Sequence, residues 1–86
     1  MKKPNYYLTL KAALEDGTLE SVRDIQTIVP ITVLTVDMHL NYNTLSKRLL
    51  EPSMLTLLDV KRMAHLIGID PTELFRWILK EVKGRK

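Results

Sequence analysis

The 86-residue sequence predicts an all-α fold, a compact domain of five or six short helices. Apolar residues recur at intervals of three and four along most of the chain, which places them on one face of an α-helix. Residue types that start and stop helices stand at the ends of these segments. The 45% apolar content suffices for one core without disulfides, so we expect a single domain over residues 1–86.

The first segment runs from Thr9, a possible N-cap, to Gly17, a left-handed helix stop. Its apolar spacing indicates a short helix. The alternation of Tyr6, Leu8 and Leu10 also fits an edge strand, so both alternatives stay open.

The second segment, residues 19–28, is expected to be a helix because Val22, Ile25 and Val29 follow helical spacing. Pro30 ends it, since the residue before a proline avoids helical dihedral angles.

The third segment, Ile31–Met38, is rich in β-branched residues that favour a strand, but the spacing of Leu34 and Met38 favours a helix. After the break at residues 39–41, residues 42–50 form the next predicted helix, with Leu45 and Leu49 one turn apart. So short a connection requires two helices that cross at a steep angle.

Two further helices have clear starts. Thr56 and Asp59 form a capping box before a helix that ends at Gly68, with an apolar stripe of Leu57, Val60, Ala64 and Ile67. The last helix has Asp70 as N-cap and Pro71 at its first position. Its predicted apolar stripe consists of Leu74, Phe75, Ile78, Leu79 and Val82.

This order of elements resembles the phage-repressor and Cro type (XRE-like, lambda-repressor-like) of helix-turn-helix DNA-binding domain. Leu34, Leu40 and Leu45 fill the aliphatic positions around the turn, and residues 63–74 follow the family pattern of a small residue, a glycine stop and a capped helix. The resemblance spans residues 19–79. It implies a repressor-like core over 19–82, an N-terminal extension over 1–18 and a basic tail over 83–86.

Three positions depart from the family pattern. Thr35 replaces the alanine that lets the two helices of the motif approach, and His39 replaces the glycine of the turn, where it needs a left-handed backbone. Arg48 stands where an apolar residue is expected, and we expect Leu49 to take over its packing.

The resemblance implies a transcriptional regulator that places residues 41–50, the reading helix, in the major groove of double-stranded DNA. Asparagine can pair with adenine, threonine can contact a thymine methyl group, and lysine can reach guanine. The candidate base-reading residues are Asn41, Tyr42, Asn43, Thr44, Ser46 and Lys47, and the candidate phosphate contacts are Thr32, Arg48 and Ser53. Asn41 has the simpler alternative of an N-cap, and Tyr42 that of packing over the domain edge.

Charge is unevenly distributed. Residues 1–43 hold four Lys/Arg and five Asp/Glu, whereas residues 44–86 hold nine Lys/Arg and five Asp/Glu. A basic half suits a polyanionic partner, although a solvated surface accounts for the charge equally well.

Catalytic and metal chemistry have little support. The two histidines, His39 and His65, lie on different segments without cysteine or carboxylates at metal-ligand spacing, and no glycine-rich phosphate loop is present. We therefore expect no enzyme activity, metal, cofactor or small-molecule substrate. The lack of cysteine and of an apolar run of about 20 residues leads us to expect a cytoplasmic protein without a membrane span.

Phe75 and Trp77 are the candidate interface residues. Large aromatic side chains at the margin of a small domain often anchor protein contacts, so a homodimer through the last helix is one expectation. The alternative to DNA binding is a helical protein-interaction module with a repressor-like fold that lacks DNA contact.

Overall fold

The computed structural model describes residues 5–84, and within this range the chain is all-helical, without a strand. It contains six α-helices and two 3₁₀ turns. The α-helices are α1 (Tyr6–Asp16), α2 (Ile25–Ile28), α3 (Ile31–Met38), α4 (Tyr42–Leu50), α5 (Leu57–Ile67) and α6 (Pro71–Gly84), and the 3₁₀ turns are Val22–Asp24 and Pro52–Met54. The predicted basic tail lies partly outside the described residues.

Helix α1 begins four residues earlier than predicted. Asn5 is its N-cap, because the Asn5 side chain accepts a hydrogen bond from the amide of Leu8 at 3.1 Å. The prediction of Thr9 as cap is therefore wrong, and so is the edge-strand alternative. The helix ends as expected at Gly17, which has a left-handed backbone with φ of 74°.

The second predicted helix is shorter than residues 19–28. Residues 18–20 are irregular, and a 3₁₀ turn at Val22–Asp24 leads directly into α2. The carboxylate of Asp24 accepts the amide of Ser21 at 3.2 Å, and Glu81 of α6 accepts the amide of Val22 at 2.7 Å. These two bonds fix the start of the turn, and the second comes from a residue 59 positions away that sequence spacing could not reveal.

The predictions for α3 and α4 are confirmed at both ends. Val29 adopts an extended backbone before Pro30, so α2 ends there. The β-branched residues of α3 are accommodated in a helix because Leu34 and Met38 are fully buried on one face.

The apolar stripes of α5 and α6 differ in part from those predicted. On α5, Met63 is fully buried in the core of the domain, whereas Leu57 is 78% exposed. On α6, Leu74 and Ile78 are buried and Trp77 packs against them, whereas Phe75 is 41% exposed. Helical spacing of three and four from Leu74 selects residues 77 and 78 and leaves residue 75 on the outside.

One apolar core joins all six helices. Its buried members are Leu10, Leu19, Val22, Ile25, Val29, Leu34, Met38, Leu45, Leu49, Val60, Met63, Ala64, Ile67, Leu74 and Ile78. Among residues 5–84, Asp59 is the buried charged side chain. No helix within that range is long and apolar enough to cross a bilayer.

Candidate nucleic-acid interface

The turn between α3 and α4 is held by backbone hydrogen bonds at the end of α3. The amide of Leu40 donates to the carbonyl of Thr35 at 3.1 Å, and the amide of His39 donates to Val36 at 3.3 Å. His39 is left-handed, with φ of 56° and ψ of 41°, as its position in the turn requires. Residues 39–41 therefore connect the two helices, and α3 packs directly on α4.

The structure accommodates two of the departures from the family pattern, those at Thr35 and Arg48. The hydroxyl of Thr35 donates to the carbonyl of Thr32 at 2.7 Å, so its polar group is satisfied within α3. Leu49 is fully buried and fills the packing role that Arg48 cannot fill. Helices α3 and α4 are thus in contact although Thr35 and Arg48 depart from the family pattern.

The outward face of α4 carries four of the six candidate base-reading residues. Tyr42, Asn43, Ser46 and Lys47 fall within an arc of about 140° at 100° per residue. Lys47 and Asn43 point away from the buried Leu45 and Leu49, whereas Tyr42 lies at the edge of the arc beside Leu49. Tyr42 is 55% exposed, so a large part of its side chain is accessible. Asn43 and Lys47 are exposed and Ser46 is half-buried. The face is thus polar, with a single positive charge at Lys47.

The other two candidates, Asn41 and Thr44, sit at the start of α4. The Asn41 side-chain oxygen accepts the amide of Thr44 at 2.8 Å, which makes Asn41 the N-cap of the helix. Its side chain is exposed, and its NH₂ group has no partner among residues 5–84. Asn41 therefore starts the helix and still presents two donors at its tip. Thr44 is half-buried and lies towards the side of the helix.

Two of the candidate phosphate contacts are accessible. Thr32 is exposed in the first turn of α3, and none of the hydrogen bonds in the described range uses the amides of Ile31 or Thr32. Unpaired amides at a helix N-terminus attract anions. Ser53 is exposed in the 3₁₀ turn that follows α4.

The third candidate, Arg48, is engaged inside the protein. Its Nη1 donates to Oδ2 of Asp59 at 2.7 Å, and the Asp59 side chain is only 3% exposed. The same Asp59 oxygen accepts the amide of Thr56 and completes the predicted capping box of α5. Arg48 thus neutralises a buried carboxylate and joins α4 to α5.

The two candidate interface aromatics lie on different sides of α6. Residues two apart on a helix are separated by about 200°, so Phe75 and Trp77 cannot form one flat contact surface. Trp77 is half-buried and lines a cleft with Leu14 of α1 and Leu74. Phe75 is the exposed member of the pair, beside Leu57 and Pro71.

Sequence reasoning missed the bond that ties α1 to α3. The hydroxyl of Tyr7 donates to Oδ2 of Asp37 at 2.5 Å. Burial of the Tyr7 ring raises the pKa of its hydroxyl above the ordinary value, and the hydrogen bond and negative charge of Asp37 raise it further. The two residues are 30 positions apart, so no local pattern indicates the pair.

Metal-binding clusters are absent from the part of the chain that the structure describes: no three His, Cys, Asp or Glu side chains converge there. Comparison of the chain with protein-family models, with curated proteins and with solved structures found no match.

Proposed function

We propose that this protein is a lambda-repressor-like helix-turn-helix domain that binds double-stranded DNA sequence-specifically and regulates transcription. The observation that carries the proposal is the outward face of α4. It is polar and largely exposed, its side chains form no hydrogen bonds with other residues of the range 5–84, and it follows a short turn after α3. An α-helix with its side chains is about 10–12 Å across and so fits a major groove about 12 Å wide.

Each exposed residue of this face has a chemical role in the proposed complex. Asn43 pairs with an adenine through its amide, and Lys47 donates to the acceptors of guanine or to a phosphate. The ring of Tyr42 packs against a thymine methyl group or the sugar backbone. Asn41 donates from the amide group that capping leaves unused.

Phosphate contacts set the register of the reading helix. The Thr32 hydroxyl and the unpaired amides of α3 face one strand in this proposal, and Ser53 faces the backbone beyond the end of α4. Arg48 is omitted from the set because removing its guanidinium from Asp59 would leave a buried carboxylate without its partner.

The experiment is fluorescence anisotropy with duplexes selected from a random pool. We expect Asn43→Ala together with Lys47→Ala to weaken binding at least about 30-fold, because two base contacts are each worth about 1–3 kcal/mol. Both side chains are exposed, so the fold should persist, which circular dichroism checks. The matched control is Lys80→Ala, which removes an exposed lysine from α6.

Salt dependence supplies a second, independent criterion. Affinity should fall linearly with the logarithm of salt concentration, and the slope should decrease on loss of Lys47 if Lys47 contacts a phosphate. The proposal would be refuted if selection enriched no duplex sequence, or if the double variant bound DNA as tightly as the control variant.

The second candidate function is a protein-interaction module, favoured by exposed apolar side chains outside the reading helix. Leu57, Met54 and Phe75 are 78%, 52% and 41% exposed, and Leu57 and Phe75 line one shallow cleft. Exposed apolar patches often mark protein contacts. A homodimer through this surface fits both functions, and sedimentation of wild type beside Phe75→Ser distinguishes a dimer from a monomer.

A further inference from the structure

An open groove of about 560 Å³ lies between the C-terminal end of α3, one face of α5 and the start of α6. We call it the α3–α5 groove. Its apolar lining consists of Leu58, Leu66, Ile69 and Pro71. Leu58 and Leu66 lie on one face of α5 and Ile69 follows the end of the helix; none of the three is fully buried, so this face of α5 is only partly covered.

The polar lining of the groove is mostly basic. Lys61, Arg62 and His65 lie between the apolar residues on the same face of α5, and His39 lies opposite them in the turn after α3. Lys61 and His65 are exposed and have no ion pair within residues 5–84. A negatively charged group in the groove would therefore meet the cations Lys61 and Arg62 of α5.

Arg62 is held in position across the groove. Its Nη1 donates to the carbonyl of Met38 at 3.2 Å, and no other bond of Arg62 occurs among the described residues. A guanidinium has five N–H donors in a fixed plane, so most of them stay available. Ordering of this side chain by α3 lowers the entropy cost of binding a carboxylate.

Asp37 is the acidic residue of the lining. One of its oxygens already accepts a hydrogen bond from the hydroxyl of Tyr7, which ties Asp37 to α1. Lys61 and Arg62 contribute two positive charges and Asp37 one negative charge, so positive charge predominates in the groove.

We propose that the α3–α5 groove binds a small molecule that combines an apolar body with one carboxylate. The volume lies within the range of about 300–1,000 Å³ typical of small-ligand sites, and the lining has the composition of such a site, apolar with a few placed polar groups. The apolar body lies along Leu58, Leu66 and Ile69, and the carboxylate accepts from Arg62 and Lys61. This inference is independent of the proposed DNA binding, since none of its residues lies on the outward face of α4.

Three probes with the same eight-carbon body test the chemistry: octanoate, 1-octanol and octylammonium, each titrated into the ¹⁵N-labelled full chain. We expect octanoate to bind about tenfold more tightly than octanol, because hydrogen bonds to charged groups exceed neutral ones by about this factor. Octylammonium should bind more weakly than octanol, and the shifted amides should lie along α5 from Leu58 to Ile69. Equal binding of octanol and octanoate, no binding of octanoate, or shifts elsewhere would overturn the proposal.

Neighbouring leucines give a matched pair of variants. Leu58 lines the groove and Leu57 does not, and both are more than half exposed, so glutamate is tolerated at either position. We expect Leu58→Glu to weaken octanoate binding at least about tenfold, and Leu57→Glu to change it less than about twofold. In the same way Lys61→Ala should weaken binding while Lys80→Ala leaves it unchanged. Equal effects within either pair would overturn the proposal.

Discussion

The ion pair between Arg48 and Asp59 makes a quantitative prediction about stability. Arg48→Met removes the guanidinium that donates to Asp59 at 2.7 Å and leaves a carboxylate, 3% exposed, with the amide of Thr56 as its remaining donor. Breaking a buried pair in this way costs about 3–5 kcal/mol. The Arg48 side chain is itself 24% exposed, so water screens part of the interaction, and we expect a loss of about 2 kcal/mol.

The reverse change should cost less. Asp59→Asn keeps an oxygen that can accept from Thr56, and the freed Arg48 can turn towards water. We expect a loss of about 1 kcal/mol in the free energy of unfolding. The double variant should then lose less than the sum of the two, with a coupling energy of about 1–2 kcal/mol.

Urea unfolding followed by circular dichroism measures all four proteins. With an m value of about 1 kcal/mol/M, Arg48→Met should lower the midpoint by about 2 M. The control cycle pairs Arg48→Met with Asp70→Asn. Asp70 also caps a helix, through the amide of Thr72, but it is exposed and has no arginine partner within residues 5–84. If the double variant of Arg48 and Asp59 lost the sum of the two single losses, to within about 0.3 kcal/mol, the pair would behave like a surface ion pair. That result would refute the reasoning.

Two further predictions concern the turn and the N-terminal helix. His39→Gly should raise the free energy of unfolding by about 1 kcal/mol because glycine adopts a left-handed backbone without strain. The control, His65→Gly within α5, should lower the free energy of unfolding by about the same amount. Chemical denaturation measures both. Tyr7→Phe should cost about 1 kcal/mol at neutral pH through the lost bond to Asp37. Because the pKa of Tyr7 is raised on folding, its contribution is complete below the unfolded value of 10.0 and is lost as the pH rises beyond it. Wild type should therefore lose more stability above pH 10 than Tyr7→Phe does, and Tyr6→Phe, the control, should retain the steep wild-type profile.

Sequence patterns located most helix ends because the signals act within three or four residues. Gly17 and Gly68 are left-handed stops, and the box of Thr56 and Asp59 starts α5, as predicted. Asn5 was missed in favour of Thr9 because both residue types cap helices and only the bond to Leu8 distinguishes them.

Side-chain surroundings were predicted less well. Phe75 was predicted both in the apolar stripe of the last helix and, with Trp77, as an interface residue, whereas the structure has Phe75 exposed and Trp77 packed against the core. The angular position of a residue on a helix is readable from spacing, but the side that the core occupies depends on where the other helices pack.

The sequence by itself determined the helices, the break at His39 and the polar face of α4, since helical hydrogen bonds and caps join residues close in the chain. The tertiary structure alone decided that Arg48 serves Asp59, that Tyr7 reaches Asp37 and that one face of α5 is only partly covered. These pairs are 11 and 30 residues apart, and only the packing of whole helices brings them into contact.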